Sequence, residues 1–224
     1  MIIAIEGIDA AGKGTQTRLL KERAEKMGLK VETLSFPRYH KTTFAIQIAQ
    51  YLNGEFGELD DMPAHFPALL YAGDRFESLS LINTLISSTD LLIIDRYVSS
   101  NLAYQAAKVP QPEQEAFIEW LAKIEYDIYK LPEANITLHL DLPVETAARL
   151  LYKKKARSYT SEKADLHEKN RDYLSQCHRV YRYLAARSFR SQWITIDCSH
   201  ATQDIRDIND IHHAMWDAIK HIFD

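Results

Sequence analysis

Ten residues near the start of the chain, Gly7-Ile8-Asp9-Ala10-Ala11-Gly12-Lys13-Gly14-Thr15-Gln16, have the types and spacing of a phosphate cradle. Glycines allow a tight turn, consecutive backbone N–H groups can converge on an anion, and a lysine adds a point charge for β- and γ-phosphates. Gly7, Ala10, Ala11, Gly12, Lys13, Gly14 and Thr15 are therefore the candidate contacts to a nucleoside triphosphate such as ATP. The usual pattern puts a serine or threonine directly after the lysine to hold magnesium. Here Gly14 takes that place, and Thr15 follows about 100° further round a helix. Magnesium is then expected on water, the nucleotide phosphates and nearby carboxylates, with Asp95 and Asp9 as the candidate metal residues.

Three further stretches carry arginines that could grip a second anion with the planar guanidinium fork. They are Phe36-Pro37-Arg38-Tyr39, Gly73-Asp74-Arg75-Phe76 and Asp95-Arg96-Tyr97, the last leading into Ser100-Asn101-Leu102-Ala103-Tyr104-Gln105. A donor cradle plus a second anion site is what a kinase of a small acceptor requires. A switch GTPase would need an Asn/Thr-Lys-x-Asp signature, which the chain lacks, and a motor ATPase usually needs a larger chain.

The elements that must position these residues are legible as apolar runs. Ile2–Glu6, Val31–Ser35, Leu91–Asp95, Ile136–Leu140 and Trp193–Asp197 read as strands, and IIAI and LLII are apolar at every position, as in parallel strands buried on both faces. Residues 15–27 suit a helix straight after the cradle. Leu174, Cys177, Tyr181 and Leu184 form one helical stripe, and Ile205, Ile208, Ile211, Met215, Ile219 and Ile222 a second. This alternation predicts an α/β fold with a mainly parallel sheet in one domain, residues 1–224. Two stretches interrupt it: a long excursion from Phe36 to about Ser88, and a charged segment at 153–169 that reads as a mobile surface element.

Bulk properties narrow the class. The 224 residues are 46% hydrophobic and 26% charged, with a net charge of −4, so no basic field points to nucleic acid as a partner. Two cysteines without metal spacing, no signal-like start and no apolar run of membrane length suggest a cytoplasmic protein that meets no membrane.

Taken together, GIDAAGKGTQ, FPRY, GDRFE and DRYVSSNLAYQ resemble the signature set of the thymidylate (dTMP) kinases, in order and over essentially the whole chain. The cradle is shared with other nucleoside monophosphate kinases, whereas FPRY and DRY…SNLAYQ are far more specific. The resemblance implies a three-layer P-loop kinase fold, with a five-stranded parallel sheet flanked by helices and a mobile lid at about 153–169. It also implies a homodimer that transfers phosphate from ATP, with magnesium, to dTMP. Residues 63–88 offer apolar surface for a dimer in Phe66, Leu69, Leu70, Leu81 and Leu85, which would look the same if they packed on the sheet.

Carried onto this sequence, the resemblance puts Arg96 and Arg75 on the acceptor phosphate or base and Asp95 near the metal and the transferring group. Asn101 and Gln105 would face the thymine, Tyr104 would pack beside the deoxyribose, and Asp9 would contact its 3′ side. Phe36 and Tyr71 would form pocket walls. Many relatives carry the F-P-x-R arginine at the fourth position, where this chain has Tyr39, so either Arg38 or Tyr39 is left to reach the phosphate. Some relatives have an arginine directly after the loop aspartate, and here that residue is Ala10. Catalytic charge is then expected from the lid, from Arg157 first and Lys153 second, ahead of an Asp165-x-x-Glu168 element, with Arg149 stacking on adenine. Transfer would be direct and in line, without a covalent enzyme intermediate. The alternatives are a kinase of another monophosphate (dUMP, dCMP or AMP) and a P-loop protein that binds nucleotide without transferring phosphate, which Gly14 favours.

Overall fold

Five parallel strands form one sheet in the order β2-β3-β1-β4-β5. They are β1 (Ile2–Glu6), β2 (Val31–Ser35), β3 (Leu91–Asp95), β4 (Ile136–Asp141) and β5 (Gln192–Asp197). The structure, a computed structural model, describes residues 1–57, 61–155, 171–200 and 204–223. The burial of the strands follows their composition. The central runs IIAIE and LLIID are buried almost throughout, whereas edge strand β5 alternates buried and exposed along QWITID.

Helices cover both faces: α1 (Lys13–Lys26), α2 (Thr43–Leu52), α3 (His65–Glu77), α4 (Leu79–Ser88), α5 (Val98–Ala106), α6 (Gln114–Ala122), α7 (Val144–Lys155), α8 (Arg171–Ala186) and α9 (Ile208–Ile219). The expected excursion is thus helical, built from α2, α3 and α4. Helices α2 and α3 pack so closely that a Cβ on Gly73 would lie 2.4 Å from the Phe44 ring. The α8 stripe is as expected, with Leu174, Cys177, Tyr181 and Leu184 all buried. The C-terminal stripe is narrower than expected. Asp207 caps α9 by accepting from Asn209 N, so Ile205 lies outside the helix in a bridge to Ser199, and Ile208 is 52% exposed.

Register decides where the loops emerge. Ile5 pairs with Asp95, Ser35 with Asp95 and Glu6 with His139, so β1, β2 and β3 end within a residue of one another and β4 runs two residues further. The three motif loops after β1, β2 and β3 therefore leave the sheet side by side at its C-terminal edge, where open α/β sheets bind ligands. No helix among the described residues is long and apolar enough to cross a membrane.

Candidate active site

The loop after β1 lies tight against the sheet because residue 7 has no side chain. Gly7 has a φ of 143°, and a Cβ there would sit 2.6 Å from the Leu140 carbonyl oxygen. Gly12, at φ 88°, turns the chain into α1, which starts at Lys13, two residues before the expected Thr15. No side chain caps this helix. The N–H groups of Lys13, Gly14 and Thr15 thus remain as donors at a positive helix end. Ala10 is held at φ 65°, a left-handed conformation that strains any residue with a Cβ. Lys13 is folded back, its Nζ donating to the Gly7 carbonyl at 3.0 Å and the Ile8 carbonyl at 2.9 Å. Burial, and then the Arg96 charge, push its ammonium down to about 8.

Asp95 stands directly beside α1. A Cβ on Gly14 would lie 3.4 Å from Asp95 Oδ2, while Asp95 Oδ1 is buried and without a hydrogen-bond partner among the described residues. Burial raises its pKa against the pull of Lys13 and Arg96. An unpartnered carboxylate at a helix N-terminus fits a hard cation that keeps most of its water and takes one protein oxygen. Asp9 fits less well, because Arg96 Nη2 already donates to its Oδ1. Burial acts to raise the Asp9 pKa, but Arg96 and Lys13 outweigh it and hold its carboxyl below the usual range. No cluster of three or more metal-ligating side chains occurs among the described residues.

Next to this loop lies a cavity of about 310 Å³. Nine of the ten residues expected at the acceptor were Asp9, Phe36, Tyr39, Tyr71, Arg75, Arg96, Asn101, Tyr104 and Gln105, and all nine line it. The tenth, Arg38, does not. Its backbone N–H is tied to Asp74 at 2.9 Å and its guanidinium donates to Ser78 Oγ at 3.0 Å, so of the pair Arg38 and Tyr39 it is Tyr39 that lines the cavity. Phe36 is a buried wall, with the Arg75 guanidinium 5.9 Å from its ring centre. Tyr104 faces Arg96, whose guanidinium carbon is 5.4 Å from the ring centre, and burial followed by Asp9 keeps its phenol well above the ordinary range. Ser35, Pro37, Ser100 and Tyr173 also line the cavity; Pro37 and Ser100 lie inside the quoted motifs without a role assigned to them, and Ser35 and Tyr173 carry no motif signal.

Three buried carboxylates that sequence reasoning missed organise this wall. Glu6, the last residue of β1, accepts from Tyr97 N at 2.7 Å, Ser100 N at 3.2 Å, Ser100 Oγ at 2.6 Å and Tyr181 Oη at 2.9 Å. It thereby caps α5, the helix that carries Asn101, Tyr104 and Gln105. Asp74 accepts from Arg38 N and, at 2.5 Å, from Thr42 Oγ1, and so shapes the loop after β2. Glu125 accepts from Arg75 Nε at 2.5 Å and Nη2 at 2.6 Å, and from Asn101 Nδ2 at 2.8 Å. Glu6 leaves a hint in the sequence as a charge ending the apolar run IIAIE, and Asp74 lies inside the GDRFE motif without a role assigned to it, whereas Glu125 leaves no hint.

On the far side, Arg149 forms an exposed ion pair with Asp204 at 2.6 Å. Arg157, Asp165 and Glu168, and the side chain of Lys153, lie outside the described residues.

The family model described as thymidylate kinase matches residues 5–208 of the chain. A thymidylate kinase of Mycobacterium tuberculosis is 32% identical over 196 residues, covering 88% of this chain and 91% of the relative. One from Schizosaccharomyces pombe is 27% identical over 204 residues, covering 91% and 87%. Among solved structures, the thymidylate kinase of Candida albicans superposes with a TM-score of 0.70 at 20% identity, over 98% of this chain and 91% of that one, and shares the fold.

Proposed function

The chain belongs to the thymidylate kinase family and phosphorylates dTMP to dTDP with ATP, and from that premise we propose how its own residues divide the work. The observation that carries the assignment is the lined cavity opening beside an uncapped helix N-terminus. The uncapped N–H groups of α1, with Lys13 released from its loop carbonyls, hold the ATP phosphates, and Arg149 flanks the adenine. Arg96 grips the dTMP phosphate next to the transferring group. Asn101, Gln105 and Arg75 meet the base between Phe36 and Tyr71. Tyr104 and Asp9 flank the sugar, where an aromatic ring crowds a 2′-hydroxyl.

Asp95 is the residue that fits Mg²⁺, and that ion supplies charge neutralisation on the β- and γ-phosphates. A dTMP phosphate oxygen is already anionic near neutral pH, so the protein contributes positioning and electrostatics, not a general base. Ala10 brings no charge to the loop, and Arg157 and Lys153 of the segment at 153–169 supply it.

The chain works as one domain, supported by a single sheet with one continuous core. A homodimer is supported by an apolar α3 face, where Phe66, Leu69 and Phe76 are exposed, continued by Phe44 of α2. Leu70, Leu81 and Leu85 are only half-buried and add less to that face. A cytoplasmic location is supported by two buried free cysteines.

The test is ADP release over a panel of monophosphates, run with Arg96→Ala alongside. dTMP leads the panel, and the variant loses about 10³-fold in kcat. AMP or CMP outpacing dTMP, or an active Arg96→Ala, would overturn the assignment.

A further inference from the structure

We infer that Glu125, which lies behind the cavity wall and lines none of it, sets the base preference by dictating which atoms of Asn101 and Arg75 are left to meet the base. This rests on the proposal that the cavity wall formed by those two residues receives the base of dTMP.

Glu125 sits on a π-helical turn, Lys123–Ile128, that continues α6, and it is fully buried. A carboxylate only accepts hydrogen bonds when its partners are an arginine and an amide nitrogen. Both Nδ2 protons of Asn101 are used, one on Glu125 Oε1 at 2.8 Å and one on the Ala68 carbonyl at 2.9 Å. Neither of those oxygens can face another oxygen, so the amide cannot turn over. Asn101 therefore offers the cavity wall its Oδ1 alone, and that atom is buried with no partner among the described residues. Arg75 is fixed by the same carboxylate through Nε and Nη2, and its other N–H groups remain as donors. Burial alone would lower the Arg75 pKa, but Glu125 overrides it, so the donors carry full charge.

The wall is thus one acceptor next to cationic donors. A pyrimidine with an N3–H donor and a 4-keto acceptor is complementary to it. A 4-amino pyrimidine shows the reverse pattern, an acceptor at N3 and a donor at position 4, and leaves both Asn101 Oδ1 and Arg75 unmatched. Gln105 lacks such an anchor among the described residues: its Oε1 is also buried and without a partner there, and no carboxylate among them is hydrogen-bonded to its amide. Gln105 can turn to suit either base and does not discriminate. Glu125 is a positioning residue, and it makes a rotatable amide into a one-way reader.

The experiment compares kcat/KM for dTMP and dCMP in the wild-type protein, Glu125→Gln and Asn101→Ala, with thermal unfolding of each. The wild type prefers dTMP by about 10³-fold, in line with a site whose polar groups would otherwise be left unpaired. In Glu125→Gln only the Ala68 carbonyl still opposes the turned amide, and the new amide can donate to Asn101 Oδ1, so Asn101 presents Nδ2 to the base for part of the time and the preference shrinks by about 10-fold. Equal losses on both substrates, or a lower melting temperature with the ratio unchanged, would overturn the inference and leave Glu125 a structural ion-pair partner. If Glu125→Gln does not fold, the charge-balanced double variant Arg75→Met/Glu125→Gln is compared with Arg75→Met alone. A further fall in the ratio supports the inference, and an unchanged ratio refutes it. Asn101→Ala separates the two levels of the argument. A ratio that survives Asn101→Ala sinks the placement of the base itself, whereas one that collapses there but survives Glu125→Gln sinks only the role of Glu125.

Discussion

The acceptor cavity and the donor loop share the edge of one sheet but are built on opposite principles. In the cavity wall, buried carboxylates satisfy the groups that must stay still: Glu6 holds the start of α5, Asp74 the loop after β2, and Glu125 the pair Arg75 and Asn101. At the donor loop the polar groups are left unsatisfied or parked. Among the described residues Asp95 Oδ1 has no partner and no side chain caps the α1 N–H groups, Lys13 rests on loop carbonyls, and Ala10 is strained. A small acceptor must be read by shape and hydrogen-bond polarity, which rewards a wall fixed in advance. A triphosphate brings its own charge and metal, and its binding can satisfy groups that the folded chain leaves open.

The largest expected difference between the two regions is at their aspartates. Asp95→Asn should lower kcat by about 10²- to 10³-fold. The melting temperature should hold or rise, because an unpaired buried carboxylate has been removed. A loss of several degrees in differential scanning calorimetry would break the contrast. Asp74→Ala should do the reverse, costing about 3 kcal/mol of stability by orphaning buried donors. In a chain of this size that is a fall of about 8 °C. Chemical denaturation showing a loss below about 1 kcal/mol would mean that the loop after β2 needs no such anchor.

A smaller effect is expected from Lys13. Its ammonium titrates near 8 in the free protein instead of at the usual 10.5, and a bound triphosphate would hold it charged. ATP affinity, followed by calorimetry, should be flat below about pH 7 and weaken by up to tenfold per unit above pH 8, with proton uptake on binding. For folding the sign is opposite. Between pH 8 and 10.5 the unfolded chain keeps a proton that the native one has lost, so stability from this group rises with pH. An affinity unchanged to pH 9.5 would show that Lys13 is not the group so placed. The smallest effect is at Ala10. Ala10→Gly relieves about 1 kcal/mol of left-handed strain and returns part of it as unfolded-state entropy, for a net gain of roughly 0.5 kcal/mol. A loss of stability on urea denaturation would show that the donor loop carries no strain there.

How far the sequence reaches differs between these regions for physical reasons. The strands were readable to within a residue: burial on both faces forces continuous apolar runs in β1 and β3, and the edge strands β2 and β5 still show as short β-rich runs. Residues that line the cavity were readable because phosphate and base chemistry restrict residue type, and nine of the ten residues expected at the acceptor do line it. Arg38 was ambiguous beside Tyr39 because the direction of a loop side chain depends on a tether, Asp74, that is 36 residues away. Glu125 was invisible for a related reason. It lies in KIEYDI among other acids, and only a π-helical turn and a partner 50 positions earlier distinguish it from Glu119 or Asp127. The start of α1 was misjudged by two residues because Gly12, in a left-handed conformation, lets the helix begin inside the loop.

The place of Glu6 has a consequence for tolerance to movement. Strand β1 runs straight into the donor loop, and its last residue also clamps the first turn of the helix that bears the acceptor readers. The two proposed substrate sites are thereby hung from one datum. Thermal shifts of the central strand carry donor and acceptor along together, as two tools bolted to the same rail stay aligned when the rail shakes. Their relative error then reduces to the play in two short side-chain linkages.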